Sequence, residues 1–305
     1  MPTDPPAARA ALLGPAQVGV LVMLAGMFLF ALNDALGKWL VATYSVGQVL
    51  LIRSLAALVV LAPFLWLFGP ARLFRVERPG LQALRAVFAT AEVFCFYSAV
   101  RHLPLADVMT YWLAAPIYVA ALSPFLLGER VGPLRWAAIG LGFVGVLLAL
   151  APSGAVAPGA TLTAVAGSLC FALMMITGRT LRGTPDTALV FWQLVGALLA
   201  GLVLAPAGWV APTAADWGLL ALLGVVAMAA HLCVVRALKL ADAAVVAPMQ
   251  YTLLLWAVIL GWLIFGDVPR AMMLAGAAII VAAGLFIFLR ERRAARAGQG
   301  PRHRQ

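Results

Sequence analysis

The sequence predicts an all-α integral membrane protein of ten transmembrane helices, arranged as two five-helix repeats of inverted topology. Three observations carry that fold class. Hydrophobic residues make up 65% of the 305, charged residues 10%, and the mean hydropathy is +1.04, a composition that excludes a soluble domain. The apolar residues fall in ten runs, most of about 18–25 residues, enough to cross a hydrocarbon core of about 30 Å. Finally, two stretches echo each other, RHLPLADVMTYWLAAPIYVAALSPFLLGER at 101–130 and RALKLADAAVVAPMQYTLLLWAVILGWLIFGD at 236–267. Each is a polar turn, an apolar span and a stop of Gly with an acid.

Taken in order, residues 1–13 form a polar, Pro-rich tail. The first apolar run is much longer than a signal-peptide core, so it is expected to stay as the first span. The spans follow at about 16–42, 47–68, 79–100, 104–127, 133–150, 159–181, 187–206, 215–237, 243–265 and 269–289, with a basic tail over 291–305. Gly69-Pro70, Pro79-Gly80, Gly132-Pro133, Pro152-Ser153-Gly154 and Gly183-Thr184-Pro185 punctuate the connections. Alternate connections hold 17 of the 21 Lys and Arg on one side and only Lys38, Arg53, Arg101 and Arg270 on the other, which places both termini in the cytoplasm. The same distribution puts the net charge of +10 at lipid headgroups, not on nucleic acid. Cys95, Cys170 and Cys233 lie far apart inside apolar runs, without metal-ligand spacing, so neither a metal nor a cofactor is expected.

The repeat is also written in FALNDALGKWL at 30–40 over FALMMITGRTL at 171–181, and in Arg101–Asp107 over Arg236–Asp242. These registers give halves of 14–152 and 157–290. Five spans is an odd number, so the second half enters the membrane from the opposite face, the plan of carriers whose bundles rock about a midplane site.

Asn33-Asp34-Ala35 with Gly37-Lys38, Arg53-Ser54, and Leu103-Pro104-Leu105-Ala106-Asp107 through Ala115-Pro116 to Leu127-Gly128-Glu129-Arg130 resemble the EamA-type members of the drug/metabolite transporter superfamily, across essentially all ten spans. The resemblance implies a carrier of small metabolites in a bacterial inner membrane, often an exporter, with a cavity lined by helices 1, 3, 4, 6, 8 and 9. Aromatic amino acid exporters belong to the same superfamily.

Intramembrane ionisable groups are costly and face a cavity or a partner. Asp34, Arg53 and Glu92 all fall roughly 9–14 Å below the outer surface at 1.5 Å per residue, so they can meet. They are read as a cluster that binds a zwitterion, or as an outer gate with an Asp34–Arg53 pair; a buried pair that only holds helices 1 and 2 together is the bland alternative. Glu92 has no evident fixed partner and is the first candidate for proton coupling. Lys38 is expected to snorkel outward. In the second half Gln193 stands near the repeat position of Arg53 and His231 near that of Phe96, as candidates for the inner gate or, for His231, for titration near neutral pH. Met174 stands over Asn33.

Tyr111 and Trp112 on helix 4, with Gln250 and Tyr251 on helix 9, reach similar depths from opposite faces and are expected to line a wet cavity near the midplane. Tyr97, Tyr118, Trp192 and Trp256 are weaker candidates. Trp39, Trp66, Trp209, Trp217 and Trp262 read as interfacial belt residues. Pro116 and Pro248 are expected to kink helices 4 and 9, Pro116 freeing the Trp112 carbonyl. Small residues Ala138, Gly142 and Gly145 on helix 5, with Gly276 and Gly284 on helix 10, allow close packing inside a monomer or in a weak homodimer.

The expected function is alternating-access transport of small organic metabolites, amino acids including aromatic ones, in the export direction. Cationic drugs or S-adenosylmethionine-like metabolites are the alternative, favoured if Asp34 and Glu92 face the cavity unpaired; pairing of Asp34 with Arg53 favours an aromatic or neutral substrate. A membrane-embedded enzyme is the reading from another class, and no phosphate loop, His-rich cluster or Ser/His/Asp set supports it.

Overall fold

The computed structural model describes residues 15–68, 73, 76–128, 132–149, 158–181, 183–240 and 247–298. No strand occurs among them. A bilayer core offers no water to exposed N–H and C=O groups, and a helix satisfies them within one segment. The helices are α1 (Pro15–Val41), α2 (Val46–Phe68), α3 (Pro79–Val100), α4 in two pieces (Leu105–Leu113 and Ala115–Leu126), α5 (Pro133–Ala149), α6 (Pro158–Thr180), α7 (Asp186–Leu204), α8 (Ala214–Leu240), α9 (Thr252–Phe265) and α10 (Ala271–Gly298). Eight are long and apolar enough to cross a membrane, and α5 and α9 are shorter apolar helices. The chain is a multi-pass membrane protein.

Three spans show detail that the expected boundaries leave out. Span 4 is broken at Ala114, where the Ala114 and Ile117 N–H groups donate three residues back, to Tyr111 O and Ala114 O. The cause is Pro116, whose nitrogen has no hydrogen to return to Trp112. Span 9 begins as an α-helix only at Thr252, after a 3-10 turn over Ala247–Tyr251 that contains Pro248; residues 241–246 lie outside the described ones. The last helix continues to Gly298, beyond the expected start of the tail at 291, because Arg, Glu and Ala there favour helix once the chain has left the bilayer.

The packing carries the inverted repeat. α1 packs along α8, and its counterpart α6 packs along α3; α1 touches α9 as α6 touches α4; and α2 meets α7, α4 meets α9 and α5 meets α10 as repeat-related pairs. The two fourth helices also stop in the same way. Gly128 after α4 and Gly266 after α9 both have φ 68°, the positive-φ residues among those described, a left-handed cap that glycine adopts without a Cβ penalty.

α5 and α10 use their small residues inside the chain. A Cβ on Gly276 would meet the Gly145 carbonyl oxygen and the Ala149 nitrogen at 2.5 and 2.6 Å. Gly142 accommodates Ile117, and Gly284 accommodates the Tyr251 hydroxyl. The largest buried cluster draws on α1, α2, α3, α4, α5, α6, α8 and α9, with Tyr97, Tyr111, Phe96 and Trp112 among its members.

Candidate functional site

Four helices of the first repeat bring the intramembrane polar groups together. On α1, Asn33 is 4% exposed and its Nδ2 donates to Asp34 Oδ1 at 3.1 Å. Asp34 lies within electrostatic reach of both Glu92 on α3 and Arg53 on α2. Glu92 has a partner after all, since Trp112 Nε1 on α4 donates to its Oε1 at 2.7 Å. A hydrogen bond to an ionised acceptor contributes about 1.5–3 kcal/mol, and a low dielectric strengthens it.

Aromatic rings wall this centre. Phe96 stands edge-on to Trp112 and to Tyr97, with ring centroids 5.2 and 5.4 Å apart. The close approach depends on two bare backbone positions. A Cβ on Gly167 of α6 would run into the Trp112 ring, and one on Gly37 of α1 would run into the Tyr97 ring.

The expected Asp34–Arg53 ion pair is not formed. Arg53 Nη1 instead donates to Tyr97 Oη at 3.1 Å, with the guanidinium 5.3 Å from the ring centroid. A cation over an electron-rich face whose hydroxyl also accepts is satisfied without the carboxylate. Arg53 does meet the two second-repeat residues placed near it by sequence. Arg53, Gln193 and His231 line one cavity between α2, α7 and α8, while His231 Nδ1 donates to Ala227 O at 2.8 Å and Phe30 stands edge-on to its ring.

Other candidates stand apart from this centre. Tyr251 packs against α10 at Gly284 and joins a different cluster, with Ile117 and Tyr118. Gln250 is exposed. Trp192 Nε1 donates to Leu73 O at 3.0 Å, which ties α7 to the connection after α2. Tyr111 is buried in the same core as Trp112, and Met174 is half-buried on α6. Trp39, Trp209, Trp217 and Trp262 are exposed; the Trp66 side chain lies outside the described ones, as does that of Pro248.

The end of the bundle at which α1 stops holds contacts that the sequence reading missed. Lys38 does not snorkel; it pairs with Asp267 at 2.5 Å and sits over the Phe265 ring. Asp267 also accepts from the Leu105 N–H. Arg270 pairs with Asp107 at 3.0 Å and donates to Ala149 O. Gln48, fully buried, exchanges both of its amide hydrogen bonds with the Val210 backbone. Tyr44 donates to Asp216 at 2.7 Å, which raises the phenol above its ordinary range. Each contact crosses between repeats. Asp107 and Asp267 belong to the two echoed stretches, the one sequence signal that marked them.

Comparisons with known proteins agree with this architecture. A family model described as the EamA-like transporter family matches residues 17–151 and again 159–289. A riboflavin transporter of Rhizobium johnstonii is 33% identical, covering 91% of this chain and 93% of that protein. The pseudopaline exporter CntI of Pseudomonas aeruginosa is 29% identical over 87% of this chain and 94% of its own length. An S-adenosylmethionine uptake transporter of Rickettsia bellii is 26% identical over 88% and 94%. A solved structure described as "Crystal structure of protein" aligns with a TM-score of 0.58 at 20% identity, covering 92% of this chain and 98% of that one, a likeness of fold alone. The named relatives are transporters of small molecules, and the enzyme alternative is set aside.

Proposed function

Because the chain belongs to the EamA-like transporter family, we propose that it moves a small aromatic metabolite, first of all an aromatic amino acid, across the bacterial inner membrane by alternating access, with both termini cytoplasmic. The observation that carries the reading is the Trp112–Glu92 hydrogen bond, walled by Phe96 and Tyr97 in the middle of the bundle. A flat ring can replace Phe96 as the edge or face partner of Trp112, and a donor on the substrate can replace the indole N–H on Glu92. Two relatives are named riboflavin transporters, so a larger planar heterocycle belongs in the same comparison. Relatives named for uptake and for export occur together; a carrier of this plan runs down the gradient it meets, which for a metabolite made inside the cell is export.

A second reading rests on Asp34. It has no ion-pair partner among the described residues, and Glu92 is held by a neutral donor. Two carboxylates beside one guanidinium favour a substrate with a cationic group, such as an S-adenosylmethionine-like metabolite, or exchange for a proton at Glu92.

Counterflow into proteoliposomes separates these readings. Vesicles are preloaded with unlabelled phenylalanine, riboflavin or S-adenosylmethionine, and uptake of each labelled compound is followed with and without an imposed pH gradient. Acceleration by internal phenylalanine supports the amino-acid reading. Acceleration by riboflavin alone moves the assignment to that heterocycle, and S-adenosylmethionine flux that needs the pH gradient supports the cationic reading. No flux of any of the three, with folded protein, rejects the aromatic-cavity proposal.

A further inference from the structure

The cavity between α2, α7 and α8 differs chemically from the carboxylate-and-aromatic centre beside it. Arg53 and Ala57 line it from α2, Val190, Gln193 and Leu194 from α7, and Gly224, Ala227, Met228 and His231 from α8. Each set lies on one helical face at spacings of three and four residues. The cavity measures about 70 Å³, room for a few waters or one ionic group but not for a whole aromatic metabolite, and Gly224 brings α8 so close to α2 that a Cβ there would run into the Arg53 carbonyl.

The lining contains no carboxylate. Arg53 uses one N–H on Tyr97, and its remaining donors have no partner among the described residues. Gln193 makes no side-chain hydrogen bond there either. His231 Nδ1 is committed to the Ala227 carbonyl, which leaves Nε2 as the free edge of the ring; that edge donates only as the imidazolium. The charged side chains that act on the ring are Arg53 from α2 and Arg85 from α3, both cations. The Arg53 guanidinium, with free N–H groups, and the Gln193 carboxamide are the donors around this small void, a set suited to a planar anion, and the His231 edge joins them only when protonated.

We propose that this cavity is an anion subsite, in which Arg53 and Gln193 receive the carboxylate of the transported molecule beside the His231 ring. The proposal rests on the transport reading above and assigns opposite ends of a zwitterion to opposite sides of Arg53's neighbourhood. The cationic end goes to Asp34 and Glu92, and the anionic end to the cavity under α8. It also explains why Arg53 is not consumed by Asp34.

The test reads the electrostatics of the cavity without knowing the substrate. Cys95, Cys170 and Cys233 are replaced by Ala, Gln193→Cys is introduced, and the full-length protein in detergent is reacted with anionic methanethiosulfonate ethylsulfonate or cationic methanethiosulfonate ethyltrimethylammonium. Each rate is divided by the rate of the same reagent with free cysteine. The expected result is a preference for the anionic reagent of at least about tenfold, lost in Arg53→Gln and kept in Arg53→Lys. A preference for the cationic reagent, a preference indifferent to Arg53→Gln, or no reaction with either reagent overturns the subsite. Protection of the cysteine by phenylalanine but not by phenethylamine, which lacks only the carboxylate, ties the subsite to the substrate's own anion; equal protection by both overturns that tie. A preserved anionic preference with protection by neither compound leaves the subsite standing and rejects the amino-acid reading instead.

Discussion

At matched places in the two repeats the helix packing and the helix stops agree and the chemistry does not. α4 and α9 end on glycines with the same φ, and the packing of α1 on α8 is returned by α6 on α3. Yet Asn33-Asp34 of α1 stands over Met174-Met175 of α6, Arg53 falls near Gln193, and Phe96 over His231. A symmetric scaffold lets either end of the bundle open by the same rocking motion. On the proposed reading, an unsymmetric set of side chains then gives the charges of the candidate site to the first half, while the second contributes the uncharged Gln193 and the His231 ring. Duplication explains the fold, and divergence between the copies explains the site.

The largest effect is expected where the charged half meets the ring that partners it. Trp112→Phe removes the indole-to-carboxylate hydrogen bond, a loss of about 1.5–3 kcal/mol, or roughly 10–100-fold in transport rate, and Glu92→Gln keeps a neutral acceptor for the indole and removes the charge, for about half that loss in free energy. Trp209→Ala, at an exposed ring, is expected to leave the rate unchanged in the same proteoliposome assay. If all three variants behave alike, the first repeat does not own the site. Glu92→Gln also flattens the pH profile of flux if Glu92 carries the coupled proton; a profile that keeps its shape moves coupling to another group.

Next in size is the scaffold that the repeats share. Gly276→Ala places a methyl group against the backbone of Gly145 and Ala149, which cannot rotate out of the way. Overpacking of this kind costs about 1–3 kcal/mol, to be seen as a lower thermal midpoint of the purified protein. Gly140→Ala and Gly218→Ala, where an added Cβ meets nothing, are expected to leave that midpoint in place. Equal midpoints for Gly276→Ala and Gly218→Ala would show that the α5–α10 contact is not a fixed axis.

Much of this was legible in the sequence because membrane helices announce themselves by length and because a duplicated chain repeats its stops. LGE and FGD mark the ends of α4 and α9, Glu92 and Arg53 stand out by the cost of placing charge in lipid, Trp112 by its depth near the midplane, and Gln193 and His231 by their repeat positions. Their pairing was not legible. Depth along a helix says that Asp34 and Arg53 reach the same level, but the rotation of each helix decides who faces whom, and here Gly37 admits Tyr97 between them. In span 9 the hydropathy runs through Pro248 without interruption, so the proline alone, and not the apolar pattern, marks the 3-10 turn that precedes the α-helix. Lys38 was placed by the habit of long cations near helix ends, and Asp267, more than two hundred residues away, leaves no local trace.

The smallest effect concerns the end that faces outward in the proposed orientation, where the comparison between repeats becomes a contact between them. Lys38 comes from the first repeat and Asp267 from the second, and Asp107 and Arg270 pair across the same boundary. These pairs are partly exposed, so each is worth about 1 kcal/mol or less. Asp267→Asn weakens the hold on Lys38 and leaves a neutral acceptor for the Leu105 N–H. It is therefore expected to raise the outward-open population about fivefold or less without stopping transport. A cysteine at Met109, buried on α4 beneath these pairs, reports that population through its rate of labelling by an impermeant thiol reagent from outside. Asp267→Asn and Arg270→Gln together should raise the rate further than either alone, because the two pairs hold the same opening. An unchanged labelling rate in the double variant would mean that the outer face is closed by the buried Gln48–Val210 exchange and by packing, and that the charges across the boundary only decorate it.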